Sequence, residues 1–372
     1  MSFLMQFPRV HLDFGAIRAL PAELAACGIT RPLLITDPGL VKCGILARVS
    51  DILAGRNDIV VFDQVPENPT VAGVERAIEL YRRERCDGVV ALGGGSVIDT
   101  AKAVAVLAGH SGPITDYMGK PDVITHRVAP LIVLPTTAGT GSEASRGAGI
   151  HPDAKSRASG LNSHYIVPRV AICDPDLTAS LPPRLTAGTG MDALSHCVEG
   201  FLTIADNPPA KALALDGMRH VAGFIERAVQ DGNDREARKM LMTAALEGGM
   251  AIQMGLGPGH AIANTTGDQG LHHGMMVTIA MPTVLRVMEK HVPEKTRLVA
   301  EALGAEPGQS AGDMVEALNA RVGLPATMRA LGYKGGDLDE MARDAAKSHF
   351  LGRSPYRPNA TEFRTMLAAV MG

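Results

Sequence analysis

Apolar positions in the first half of the chain fall into short β-branched runs, separated by polar segments of helical period. RPLLITD (31–37), DIVVFDQV (58–65), DGVVALGGG (87–95), PLIVLPTTAGTG (130–141) and RVAICDP (169–175) are such runs, each closed by Gly, Pro or Asp, the pattern of strands covered on both faces. Between them lie helical stretches such as VAGVERAIELYRRERC and SVIDTAKAVAVLAG. This alternation predicts an α/β domain with a mainly parallel sheet. After LTASLPPRLTAGTG the character changes to long helical segments, NPPAKALALDGMRHVAGFIERAVQDG and DREARKMLMTAALEGGMAIQM, with little that reads as a strand. The boundary is expected at Pro182 and Pro183, with a dinucleotide-binding α/β domain over 1–182 and an all-α domain over 183–372.

Composition narrows the class. A chain of 372 residues, 46% hydrophobic and 20% charged, can bury a core in each of two domains. The net charge of −3 offers no basic field for nucleic acid. Cys27, Cys43, Cys86, Cys173 and Cys197 are odd in number and lack a C-x-x-C pair, which argues against a disulfide framework and a thiolate zinc site and for a reducing cytoplasm. No signal-like start and no apolar stretch of membrane length is present in the sequence, so neither export nor membrane insertion is expected.

Four residues suggest a metal. Asp192 and His196 stand four apart in GMDALSHCVEG, and His260 and His273 thirteen apart in a glycine-rich, nearly charge-free segment. An i, i+4 pair shares one helical face. Imidazole and carboxylate donors suit Fe(II), Zn(II) or a similar divalent ion. A histidine in apolar ground needs partners for its ring nitrogens.

Two glycine-rich turns supply the second chemical signal. Gly93, Gly94 and Gly95 follow an apolar run, and Ser96 is expected to open a helix. Close backbone approach and a helix start favour a pyrophosphate. The second turn runs from Pro135 through Thr136, Thr137, Ala138, Gly139, Thr140 and Gly141 to Ser142, and two such loops at one sheet edge suit a dinucleotide. The usual fingerprint places the ribose-binding acid about 20 residues after the glycine turn. Here the candidate, Asp37, comes far before it. Asp37 either caps the following turn or faces the ribose, where it would accept from the 2′-hydroxyl, repel a 2′-phosphate and favour NAD over NADP.

With these motifs in view, PENPT (66–70), GGGSVIDTAK (93–102), PTTAGTGSE (135–143), DPDLTASLP (174–182), GMDALSHCVE (190–199) and G-x-x-H-x-x-A followed by a late H-G resemble the iron-containing, or group III, alcohol dehydrogenases over essentially the whole chain. The resemblance implies a divalent metal and NAD(P) in a cleft between the two domains, and often a homodimer. Its metal ligands are Asp192, His196, His260 and His273. The cofactor contacts it implies are Gly94, Gly95, Ser96, Asp99, Thr136, Thr137 and Thr140, with Asn68 in the cleft, Asp37 setting NAD preference and Leu177 against the nicotinamide. Three positions depart from the family pattern. Asn264 replaces the histidine of the proton relay, and an amide cannot exchange a proton at neutral pH. His272 stands where a proline is usual and competes with His273 as last ligand. Ala158 stands where a basic residue contacts the cofactor, with Lys155 and Arg157 nearby.

The expected reaction is hydride exchange between nicotinamide C4 and the carbinol or carbonyl carbon of a small alcohol or aldehyde, with the metal as Lewis acid. The proton then leaves by ribose hydroxyls, water or His272. Arg146, Arg353 and Arg357 either meet an acidic group on the substrate or are surface charges. Alternatives are a metal-free enzyme like maleylacetate reductase, a relative of glycerol dehydrogenase and dehydroquinate synthase, and a non-catalytic NAD or metal binder.

Overall fold

The computed structural model describes residues 5–54, 58–153 and 156–372; Lys155 lies outside them. The described residues form two compact units. One holds the chain up to Thr137 with Ser142–Ser180, the other Ala138–Gly141 with Leu181–Gly372.

The first unit is α/β. Its strands are β1 (Arg9–Leu12), β2 (Pro32–Ile35), β3 (Val60–Phe62), β4 (Gly88–Gly93), β5 (Leu131–Pro135), β6 (Gly147–Ile150), β7 (Ser159–Asn162) and β8 (Val170–Cys173). Six form one sheet in the order β1-β8-β5-β4-β2-β3, every neighbouring pair parallel. Its helices are α1 (Leu20–Ala26), α2 (Pro38–Lys42), α3 (Ile45–Ile52), α4 (Val71–Arg83) and α5 (Gly95–Gly109). β2, β4, β5 and β8 are buried at every residue, as expected of central strands with helices on both faces. On one face Leu34, Val90, Leu92, Ile132, Leu134 and Ile172 pack with Leu20, Leu24 and Val49.

Two features differ from the sequence expectation. β1, RVHL, is a half-exposed edge strand paired with β8 alone, so it needs no apolar run. β6 and β7 form a separate antiparallel hairpin of small residues, whose glycine content hides it from a search for β-branched runs.

The second unit is helical, with α6 (Pro183–Leu202), α7 (Pro208–Gln230), α8 (Arg235–Ala251), α9 (Pro258–Thr265), α10 (His273–Met288), α11 (Pro293–Ala302), α12 (Ala311–Arg321), α13 (Met328–Leu331), α14 (Leu338–Ala346) and α15 (Ala360–Met371). Glycines let its segments approach closely. A Cβ on Gly141 would lie 2.4 Å from the Gly249 Cα on α8, and one on Gly139 would lie 2.6 Å from the Thr189 Cβ on α6. Among the described residues no helix is long and apolar enough to cross a membrane.

Candidate active site

The α/β unit gathers its candidate residues at the ends of three adjacent strands. β2 leads to Asp37, β4 to Gly94 and β5 to Thr136, and the pairing of Gly93 with Pro135 sets the two glycine turns side by side. In open parallel sheets this carboxyl edge is where ligands bind. Helix α5 begins at Gly95, one residue before the expected Ser96, and its N-cap Gly94 offers no side-chain cap. Its first N–H groups are therefore available to an anion, which fits a pyrophosphate. A Cβ on Gly94 would meet the Thr137 side chain at 3.1 Å, so glycine permits the two turns to approach. The Ser96 hydroxyl donates to the Glu67 carbonyl at 2.5 Å, tying the loop that carries half-buried Asn68 to the helix start.

Three expected cofactor residues have internal duties. Asp37 caps α2, accepting from the Leu40 N–H at 3.0 Å. The Asp99 carboxylate is engaged at both oxygens, by the Ser142 hydroxyl at 2.6 Å and the Gly149 N–H at 2.8 Å. It holds the chain after the second glycine turn. Leu177 is 1% exposed and belongs to the apolar core with Ile17 and Leu20.

Sequence reasoning passed over Lys102, whose ammonium is fully buried in the same region. It donates to the Ser142 hydroxyl at 3.0 Å and to the Ser145 and Gly147 carbonyls at 3.0 and 2.6 Å. Burial pushes the Lys102 ammonium down to about 8 and the nearby Glu143 carboxyl up to about 7. The neighbouring Glu143 Oε1 has no hydrogen-bond partner among the described residues.

In the helical unit, Asp192, His260 and His273 present ligand atoms within 4.8 Å of one another. Helix α6 supplies Asp192, α9 supplies His260, and His273 opens α10. His196, one turn beyond Asp192, places Nε2 3.8 Å from Asp192 Oδ1 and stacks its ring on His260 with centroids 4.9 Å apart. Its Nδ1 donates to the Gly139 carbonyl at 3.3 Å. Thus three expected ligands converge on one point and the fourth borders it. His272 is the half-buried N-cap residue of α10, and Asn264 lies one turn beyond His260 on α9.

The donor set fits a divalent cation. Asp192 Oδ1 and His260 Nε2 are buried with no hydrogen-bond partner among the described residues, an unfavourable arrangement unless an ion completes it. Burial alone would raise the Asp192 carboxyl, but His196 and the other histidines outweigh it and hold it below its ordinary range. Burial lowers the His196 and His273 imidazoles against the pull of Asp192. His273 is an exposed residue, so burial weighs on it far less than on His196. An ionised carboxylate beside neutral imidazoles is the protonation state that metal binding requires.

Glu199 is a further residue that sequence reasoning missed. Its carboxylate accepts from His260 Nδ1 at 2.7 Å and from the N–H groups of Gly257 and Gly259 at 2.8 and 2.7 Å. A signal was present in the sequence, because positions 192, 196 and 199 follow helical spacing along one face. A second group, Asp216, His220 and Glu247, also lies within ligand distance. There His220 is bonded to Glu247 and Asp216 faces Arg219.

Comparison with known proteins shows the family. The family model described as iron-containing alcohol dehydrogenase matches residues 8–175, and that of the C-terminal region of the Fe-containing alcohol dehydrogenase family matches 186–371. The chain is 42% identical over 388 residues to a 4-hydroxybutyrate dehydrogenase of Cupriavidus necator, covering 100% of both chains. Among solved structures it resembles a 1,3-propanediol oxidoreductase at 31% identity and a TM-score of 0.91, covering 99% of this chain and 100% of that one. It also resembles a sulfoacetaldehyde reductase from Bifidobacterium kashiwanohense in complex with NAD+, at 27% identity and a TM-score of 0.90, covering 100% of this chain and 99% of the other. The motifs, the two-unit fold and these matches converge: this oxidoreductase of alcohol CH–OH groups belongs to the iron-containing alcohol dehydrogenase family.

Proposed function

We propose that this chain interconverts a short alcohol carrying an acidic group, of the 4-hydroxybutyrate type, with its aldehyde, using NAD and one bound Fe(II) or Zn(II). The convergence of Asp192, His260 and His273 on one point carries the chemistry, and the full-length similarity to a 4-hydroxybutyrate dehydrogenase supports the substrate class. When bound, the metal supplies Lewis-acid polarisation of the substrate oxygen and the nicotinamide supplies the hydride acceptor or donor.

The chain's own residues provide positioning. Asp192, His196, His260 and His273 hold the ion. Gly94, Gly95, Ser96 and the threonines of the second glycine turn, Thr136, Thr137 and Thr140, hold the dinucleotide. Asp37 keeps one carboxylate oxygen outside its cap bond, which supports the preference for NAD. Asn264 cannot relay a proton, so His272, next to His273, is assigned to hold or pass it. An unchanged pH profile in His272→Ala would remove it from the relay.

For the acidic group, Arg353 is the better placed of the two candidate arginines in the helical unit. Its side chain lies over Gly255, in the segment leading to His260, and donates to the Met254 carbonyl at 3.3 Å. Arg357 is exposed and turned to the Gly352 carbonyl. A cytoplasmic homodimer is the expected assembly, checked by light scattering.

The test combines metal analysis of protein purified without added metal with NADH oxidation on neutral and acidic aldehydes of equal length, before and after chelation. The expected result is about one equivalent of iron or zinc, activity lost on chelation and restored by Fe(II) or Zn(II), and a higher kcat/KM for the acidic aldehydes. Full activity without metal would move the chain to metal-free reductases like maleylacetate reductase, a reading favoured by Asn264 and His272. Equal rates on the two aldehyde classes would end the acidic-substrate assignment.

A further inference from the structure

We propose that Glu199 is a positioning residue that selects the tautomer of His260 and so turns its Nε2 toward a metal; this rests on the metal reading above. Both Glu199 oxygens are committed as acceptors. Oε1 receives the Gly259 N–H, and Oε2 receives the Gly257 N–H as well as His260 Nδ1. Backbone amides only donate, so the Glu199 oxygens are set as acceptors by two of them, and the role left to the imidazole is to donate from Nδ1. His260 Nε2 is then a lone pair. It is buried without a hydrogen-bond partner among the described residues, in the group it forms with Asp192 and His273.

The local structure is built around this contact. A Cβ on Gly257 or Gly259 would lie 2.9 or 3.0 Å from Glu199 Oε1, so glycine at both positions admits the carboxylate. Pro258 between them has no N–H to satisfy. The N-cap Gly257 of α9 has no side-chain cap of its own, and Glu199 reaches across from α6 to supply one. A single side chain therefore caps the start of α9, holds the His260 ring at Nδ1 and selects its tautomer.

Replacement by Gln removes the charge and offers an amide N–H₂ where a pure acceptor stood. His260 can then accept at Nδ1 and carry its proton on Nε2, which blocks ligation. The experiment titrates metal-free full-length wild type and Glu199→Gln with Co(II), reading the d–d absorption and the dissociation constant, alongside the melting temperature of each metal-free chain. Outer partners of ligating histidines typically contribute 10–100-fold in metal affinity, and a weakening of that size is expected, with an altered Co(II) spectrum.

A purely structural cap would lower only the melting temperature, so equal Co(II) affinity and spectrum in the two proteins would overturn the assignment while leaving the metal reading intact. Absence of Co(II) binding by wild type would overturn the metal reading and the assignment with it. A measurement on wild type alone covers the case in which the variant does not fold. Long-range ¹H–¹⁵N correlation of the metal-free chain is expected to show His260 protonated at Nδ1, and protonation at Nε2 would overturn the proposal.

Discussion

Gly249→Ala on α8 tests the packing that seats His196. In an exposed helix this substitution stabilises, because alanine gains about 1 kcal/mol over glycine. Here the added methyl would lie 2.2 Å from the Gly141 carbonyl oxygen and 2.8 Å from the Gly141 carbonyl carbon and Cα. Carbon contacts prefer separations of about 3.5 Å or more, so the turn must retreat by roughly 1 Å. The obstructing atoms are backbone and cannot rotate away. Overpacking of this kind costs about 1–3 kcal/mol, and the rigid neighbour argues for the upper end. The net effect is a loss of about 2 kcal/mol, or ~4–8 °C in melting temperature for a unit of this size. The same turn carries the Gly139 carbonyl that accepts from His196 Nδ1, so weaker metal retention is expected as well. Differential scanning calorimetry of the metal-free proteins reads the first effect and elemental analysis after dialysis the second. An unchanged or raised melting temperature would refute the reasoning, since it is the outcome expected of an unpacked helix.

Three further expectations follow from the same structure. Asp192→Asn leaves the fold intact but should reduce bound metal below one-tenth of an equivalent by elemental mass spectrometry, because a neutral amide replaces the only carboxylate among the expected ligands. Asp37→Ser should shift the ratio of kcat/KM for NAD over NADP about tenfold toward NADP, as expected for ~1.4 kcal/mol of lost repulsion; an unmoved ratio would reduce Asp37 to its cap bond with Leu40. Glu143→Gln tests the buried carboxyl whose value is pushed up to about 7 from the ordinary 4.5. A raised folded value means that wild-type stability from this group is full below about 4.5 and is lost as pH rises through about 7. The variant should therefore melt higher than wild type at pH 8, by up to ~3 kcal/mol of stability, and match it near pH 4.5. Equal melting temperatures across that range would show that Glu143 finds a charged partner.

How far the chain could be read depended on where each residue's partners lie. β2, β4, β5 and β8 are buried on both faces, and such strands write themselves as unbroken apolar runs. β1 and the β6–β7 hairpin leave no such record, because half-exposed edges and glycine-rich ladders tolerate polar and small residues. Leu177 is legible locally only as an apolar residue, and its packing with Ile17 and Leu20 comes from a distant segment. Asp99 is similar, since nothing local reveals that Ser142 and Gly149 will claim its oxygens.

The sequence by itself determined the alternation of strand and helix, the change to an all-helical second half and the pairing of Asp192 with His196, because these depend on periodicities of 2 and 3.6 within single elements. Only the tertiary structure decided that His260 and His273 meet Asp192, that Lys102 is buried against Ser142 and that Glu199 bonds His260 Nδ1. The contacts at His260 and His273 join residues about 60 to 80 positions apart in sequence, and glycines at the points of closest approach to Asp192 and Glu199 let them form.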